Sequence, residues 1–183
     1  MLNICRSLFI VSLCSMGLGC SALNIQKPTA AVTGMAVQGV TAEGFTMNFD
    51  VSVNNPNSIA LPLADADYKL GVSGTNLLGG KAKPEGSLPA RGSLAIPLAV
   101  TVTFENLLLA ENAIQKGAGT IPYDLAGGLT FDTGTPMLGR IRVPLSYSGT
   151  LQLKEILKDP KVLFGSPAAK KLASMVLGNF FGK

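Results

Sequence analysis

The chain has 183 residues, a formal net charge of +4 and no histidine or tryptophan. Charged residues make up 14% and hydrophobic residues 47%, with 21 glycines and 11 prolines, which suits an all-β domain and argues against a disordered hydrophilic protein. Without histidine, and with a single cysteine left after the targeting segment is removed, the mature chain excludes Cys/His metal sites, Ser-His-Asp triads and Cys-His dyads.

Residues 1–19 are interpreted as a targeting segment that is not part of the fold. Arg6 precedes an apolar run over residues 7–18, which is too short to cross a bilayer as a helix. The run ends in Gly19-Cys20, and a small residue directly before a cysteine resembles the lipobox of a bacterial lipoprotein signal peptide. Cys20 is therefore the predicted lipid-attachment residue, and the alternative is an ordinary secretory peptide cut near Gly19.

Cysteine usage favours export without disulfides. Cys5 and Cys14 lie inside the segment that would be removed, so Cys20 would be the only cysteine of the mature chain. Acylation there implies a membrane partner, reached through an N-terminal lipid anchor and a short tether over residues 20–27. Ser21 stands where an aspartate would, by resemblance to Gram-negative lipoproteins, retain the protein in the inner membrane. The expected location is the outer membrane, facing the periplasm.

The clearest strand pattern begins at Gly44, where apolar and polar side chains alternate with the period of two of a β-strand. Its predicted core face holds Phe45, Met47, Phe49, Val51 and Val53. The strand ends in a motif of four residues, where proline fixes φ and asparagine side chains can bond the nearby backbone. We expect these residues to shape a turn and to be structural: Asn54, Asn55, Pro56 and Asn57.

Further segments show strand patterns separated by turn residues. There are six such segments: 31–40, 59–72, 77–82, 93–104, 120–131 and 139–153. Together with the strand from Gly44 they make seven strands within residues 28–153. Pro97 predicts a sheet edge or a bulge, and Gly127-Gly128 predicts an interruption. One short helix is expected over residues 105–116, with Gly117 as its cap. This order fits a seven-stranded antiparallel sandwich with one short helix.

The segment 154–183 has a different composition, with six lysines and two acidic residues. Ser166-Pro167 predicts the start of an amphipathic helix, because serine is a favoured N-cap and proline a favoured first residue. Its apolar face would hold Ala169, Leu172, Ala173, Val176 and Phe180. Docking of this helix on the sandwich is favoured, and contact of a basic helix with an anionic membrane surface is the alternative.

Residues suited to catalysis or ligand chemistry are few. Asp65 and Asp67 would share the polar face of a strand, and we interpret them as solvated residues rather than as an acid/base pair or a calcium site. The glycine pairs lack the pattern of a phosphate-binding loop, and the basic charge is too small for nucleic acid. The sequence therefore predicts no enzyme activity, no metal site, no cofactor and no nucleic-acid partner.

Three segments carry a resemblance to a known family: 53–63, with its Asn-Asn-Pro-Asn turn and the following Ile-Ala-Leu-Pro-Leu; 68–70, Tyr-Lys-Leu; and 142–151, Arg-Val-Pro-Leu-Ser-Tyr-Ser-Gly-Thr-Leu. Together they resemble the late embryogenesis abundant type 2 family, also called the WHy domain, over about residues 28–153. The resemblance implies a sandwich of the immunoglobulin or fibronectin type III kind, a role in tolerance of desiccation and other stress, and neither catalytic residues nor a cofactor.

Two functions follow from these observations. The first is a lipid-anchored, non-enzymatic envelope protein that serves in stress protection. The alternative is a binding module for a lipid or another amphiphile, in which the helix over residues 166–180 closes an apolar gap between the sheets as a lid. The sequence predicts no particular protein partner.

Overall fold

The computed structural model describes residues 25–83, 85–117, 119–134 and 139–181. The predicted signal peptide, Cys20 and the start of the predicted tether lie outside the described residues, as does the side chain of Phe180.

Two antiparallel sheets make up most of the described chain. The strands are β1 Thr29–Gln38, β2 Gly44–Asn54, β3 Leu61–Val72, β4 Thr75–Ala82, β5 Ser87–Leu88, β6 Ser93–Thr103, β7 Thr120–Asp132 and β8 Arg140–Gln152. One sheet has the order β1-β2-β6, and the other has the order β4-β3-β7-β8 with β5 beside β3. The predicted all-β class is confirmed. The strand number differs, because the described residues hold eight strands, of which β5 has two residues.

Strand β2 lies between β1 and β6 and forms the centre of its sheet. Its five alternating apolar side chains are at most 1% exposed, as predicted: Phe45, Met47, Phe49, Val51 and Val53. The ring of Phe49 meets the rings of Tyr123 and Tyr147 from the opposite sheet, with centroids 6.2 and 6.1 Å away in edge-to-face geometry. The hydrophobic core therefore lies between the two sheets.

Strand β6 is a sheet edge, in agreement with the position of Pro97. Pro97 pairs with Asp50 in a register that is unbroken from one end of β6 to the other, so no bulge forms there. An edge position is enough to accommodate proline, because the free side of the strand needs no N–H group.

The predicted interruption of β7 at Gly127-Gly128 is wrong. The strand runs without a break, and these glycines pair with Tyr68 and Asp67 of β3. A Cβ atom on Gly127 would collide with the backbone oxygen of Asp67. The glycines therefore allow a close approach within the sheet and do not end the strand.

Between β6 and β7 the chain forms two short helices, α1 Phe104–Leu108 and α2 Glu111–Lys116, where one was predicted. Thr103 and Asn106 form a capping box at the start of α1: the Asn106 N–H donates to the Thr103 hydroxyl at 3.1 Å, and the Thr103 N–H donates to Asn106 Oδ1 at 3.4 Å. A turn at residues 109–110 separates the helices. Gly117 is the C-cap of α2, as expected, with a right-handed backbone conformation.

The C-terminal segment holds α3 Leu153–Leu157 and α4 Pro160–Leu163, which were not predicted, and α5 Pro167–Phe181, which was. Ser166 caps α5 through a bond from the Ala169 N–H to its hydroxyl at 3.2 Å. Helix α5 packs against α1, α2, α3 and α4. Its buried residues join the core of the sandwich: Ala168, Ala169, Leu172, Ala173 and Val176. Docking of the helix is thus confirmed, and its contact with a membrane surface stays a prediction.

The two ends of the sandwich differ. At one end, which we call the turn end, lie the lead-in residues 25–28, the connection 55–60, and residues 83 and 85–92 with the short strand β5. At the other end, which we call the helical cap, lie α1 to α5. Strand β2 has 11 residues, so the two ends are roughly 36 Å apart. Within the described residues, no helix is long and apolar enough to cross a membrane.

Candidate functional site

The asparagine motif lies at the turn end, where two of its side chains form a buried polar network. Asn55 is 1% exposed and Asn57 is 7% exposed. The Asn55 amide group donates to the carbonyl oxygens of Ile59 at 2.8 Å and Pro89 at 3.0 Å. Its Oδ1 accepts from the backbone N–H of Asn57 at 3.0 Å and from the Asn57 side chain at 2.8 Å. All polar atoms of the Asn55 side chain are therefore bonded.

Asn57 extends this network to the lead-in segment. Its Nδ2 donates to the carbonyl oxygen of Gln26 at 2.8 Å, and its Oδ1 accepts from the Gln26 N–H at 2.7 Å. The Asn57 carbonyl oxygen accepts from the N–H of Arg91 at 2.8 Å. Through its side chain and its backbone, Asn57 thus joins the start of the described chain, the β2–β3 connection and the β5–β6 connection.

The other two motif residues are exposed. Asn54 Nδ2 donates to the Ser93 hydroxyl at 3.1 Å, and Pro56 faces solvent. The motif therefore divides into two exposed and two buried residues. These contacts support a structural role for the motif, because the side-chain nitrogen and oxygen atoms of Asn55 and Asn57 are all hydrogen-bonded within the protein.

The outer face of the larger sheet carries two ion pairs in a row. Arg140 Nη1 lies 3.2 Å from Asp65 Oδ2, and Arg142 donates to both carboxylate oxygens of Asp67, at 3.1 and 2.6 Å. The hydrogen bond from Arg142 to Asp67, and the charge of that carboxylate, raise the pKa of the guanidinium above its usual value. Asp65 and Asp67 are therefore ion-paired, with each side chain still 40% exposed. The sequence analysis interpreted them as solvated residues and did not predict the pairs.

Each pair spans β7, which lies between β3 and β8. The Arg142 guanidinium crosses over Gly128, where a Cβ atom would take its place. The signal in the sequence is the shared spacing of two in Asp65-x-Asp67 and Arg140-x-Arg142. This spacing predicts two ion pairs only when the register of β3, β7 and β8 is known.

An apolar cleft of about 240 Å³ opens between β6 and the β3–β4 edge of the opposite sheet. Small and aliphatic side chains line it, together with Lys83: Val51, Ala66, Ala82, Ile96, Leu98 and Leu129. All described lining residues lie in the strands or directly after β4, and none comes from α5. The proposed lid does not fit this arrangement, because α5 packs at the helical cap.

The described residues offer little acid/base or metal chemistry. No group of three or more His, Cys, Asp or Glu residues among them could hold a metal ion. Burial, with Tyr147 as a neighbour, raises the pKa of Tyr123 to about 12, which moves its ionisation further from neutral pH. The described residues thus provide a hydrogen-bonded turn, an ion-paired sheet face and a cleft with room for a small apolar group. We find no set of catalytic residues among them.

Comparison with known proteins gives a consistent result. Residues 50–149 match the model of the LEA_2 family, described as late embryogenesis abundant protein. Late embryogenesis abundant protein Lea14-A of Gossypium hirsutum is 32% identical over 71% of this chain and 84% of its own length. Desiccation protectant protein Lea14 homolog of Glycine max is 31% identical over the same shares of the two chains.

A solved structure supports the same relationship. The solution structure of AT1g01470 from Arabidopsis thaliana matches with a TM-score of 0.57 and 29% identity, over 70% of this chain and 83% of that one. The family match alone covers the span from the middle of β2 to the end region of β8. The chain therefore belongs to the late embryogenesis abundant type 2 family.

Proposed function

We propose that this protein is a non-enzymatic stress protector of the desiccation-related kind, held in the cell envelope by a lipid on Cys20 and located in the outer membrane facing the periplasm. The observation that carries the protective role is the alignment of the chain, across both sheets, with relatives named for desiccation. The anchor is supported by the apolar run and the Gly19-Cys20 junction.

We further propose that the sandwich is a WHy domain of the immunoglobulin or fibronectin type III kind. Seven strands of eight or more residues support this assignment, in the orders β1-β2-β6 and β4-β3-β7-β8. Sandwiches of this architecture are built from two antiparallel sheets with one core between them.

The protective role is tested by drying a labile enzyme with and without the protein. We expect the enzyme to keep several-fold more activity after rehydration than it does with an unrelated folded protein of similar size, charge and concentration. Activity is measured before drying and after rehydration. Equal recovery with both proteins would contradict the proposal.

A second candidate function is binding of a lipid or another amphiphile, and the apolar cleft favours it. Its volume of about 240 Å³ lies below the usual range for drug-sized ligands, roughly 300–1,000 Å³, so it suits one short hydrocarbon segment.

Native mass spectrometry of the detergent-extracted protein tests this candidate. Ala82→Phe is expected to reduce a co-purified ligand several-fold, because the new ring would fill the cleft that Ala82 lines. Thr101→Phe is the matched control, since Thr101 is exposed on the outer face of β6 and does not line the cleft. Absence of any ligand in the wild type leaves stress protection as the function.

A further inference from the structure

The chain enters the sandwich at a fixed point. Both backbone groups of Gln26 are bonded by the side chain of Asn57, at 2.7 and 2.8 Å, and Asn57 is itself held by Asn55. Pro28 is buried and β1 begins at Thr29. The lead-in is therefore part of the folded domain from Gln26 onward, and the predicted tether over residues 20–27 is shorter than the sequence indicated.

This contact limits how far the domain can stand from an anchor at Cys20. Five residue steps separate Cys20 from Ile25, and a chain of that length reaches at most roughly 18 Å. The helical cap lies roughly 36 Å beyond the turn end, because β2 spans the distance between them. A lipid on Cys20 thus keeps the turn end close to the membrane.

The charge of the turn end suits an anionic surface. In the segments that form the turn end, Lys27, Lys83 and Arg91 are exposed, and the acidic residue in the described ranges is the exposed Glu85. Beside these segments, Asp132 at the end of β7 accepts the Gly134 N–H, and Asp65 is paired with Arg140. The position of Arg91 is set by the same network, since its N–H bonds the Asn57 carbonyl oxygen at 2.8 Å. Basic residues next to a membrane are attracted by anionic lipids.

We propose that the turn end is a membrane-facing surface, on which Lys27 and Arg91 contact the headgroups of anionic phospholipids while the helical cap points away from the bilayer. The proposal rests on the anchor at Cys20. It adds an orientation and a lipid-headgroup partner, which the anchor alone does not supply.

The test uses the full lipidated protein in vesicles of phosphatidylethanolamine and phosphatidylglycerol. Acylation occupies Cys20, so one introduced cysteine is the free thiol of the mature chain. Ser58→Cys labels the turn end and Ser174→Cys labels α5 in the helical cap, since both serines are exposed. We expect a lipid with a nitroxide headgroup to quench a fluorophore several-fold more at residue 58 than at residue 174. Equal or reversed quenching overturns the orientation.

A charge comparison separates headgroup contact from tethering. A first double variant carries Lys27→Gln and Arg91→Gln. We expect it to lower the ratio of quenching at residue 58 to quenching at residue 174 at least twofold, and a higher salt concentration should have the same effect on the wild type. The control double variant carries Lys116→Gln and Lys170→Gln. It removes the same charge from exposed positions of the helical cap and should leave the ratio unchanged. An unchanged ratio in the first variant overturns the headgroup contact.

Sedimentation of the vesicles distinguishes failure of the anchor from failure of the orientation. The wild type should sediment with the vesicles, and Cys20→Ala should stay in the supernatant. A wild type that also stays in the supernatant overturns both the anchor and the orientation. A bound wild type with equal quenching at the two labels overturns the orientation alone.

Discussion

Replacement of Phe49 by alanine is expected to lower the free energy of unfolding by about 3–5 kcal/mol. Phe49 is fully buried at the centre of β2, and its ring contacts Tyr123 and Tyr147 of the opposite sheet. The variant would lose this contact between the sheets and leave a cavity where they meet. Because a domain of this kind is stable by only about 5–15 kcal/mol, the variant is expected to be partly unfolded at 37 °C. Urea denaturation followed by circular dichroism measures the change.

Asp50→Ala is the matched control, one residue along the same strand. Asp50 is exposed on the outer face of the sheet, so the expected change is about 0.5 kcal/mol or less. Similar losses at the two positions would contradict the assignment of Phe49 to the core.

The second large effect is expected at Asn55. Asn55→Ala removes both donors to the carbonyl oxygens of Ile59 and Pro89 and the acceptor for two N–H groups of Asn57. Since each unsatisfied buried polar group costs about 1–3 kcal/mol and the site partly relaxes, we expect a loss of about 2–5 kcal/mol. Asn55→Asp should be at least as harmful, because it turns a carboxylate toward two carbonyl oxygens.

Hydrogen exchange adds a local measurement to denaturation of these variants. The Gln26 N–H, which bonds Asn57, should lose protection in Asn55→Ala. Asn54→Ala is the control, since Asn54 is exposed and its side chain makes one bond, to Ser93. Retained protection at Gln26 in Asn55→Ala would show that Asn57 holds the lead-in without help from Asn55.

Periodic segments were predictable from the sequence. The alternation from Phe45 to Val53 specifies which face of β2 is buried, and Ser166-Pro167 specifies the start of α5. In both cases the determining contacts are local or follow from a repeated pattern. The same reasoning predicted the turn at Asn54 to Asn57, because proline and asparagine act through their own backbone neighbourhood.

Contacts between distant segments were not predictable. Asn55 bonds Pro89, which is 34 residues away, and Asn57 bonds Gln26, which is 31 residues away. Gly127-Gly128 looked like a strand break because glycine is unfavourable in strands, yet the two residues allow Asp67 and Arg142 to approach β7. The helices α3 and α4 are too short to show a period, and both pack against α5, which follows them in the chain.

The two arginine–aspartate pairs on the outer sheet face have a consequence for a dried protein. In water such exposed pairs contribute little to stability, because solvent screens them and competes for both partners. As water leaves, the dielectric constant around the pairs falls and the attraction between opposite charges increases. Apolar burial, which depends on the cost of hydrating hydrocarbon, weakens under the same conditions. Arg140 and Arg142, which tie β8 to β3 across β7, would then hold the sheet together most firmly when the solvent that drives core formation is gone.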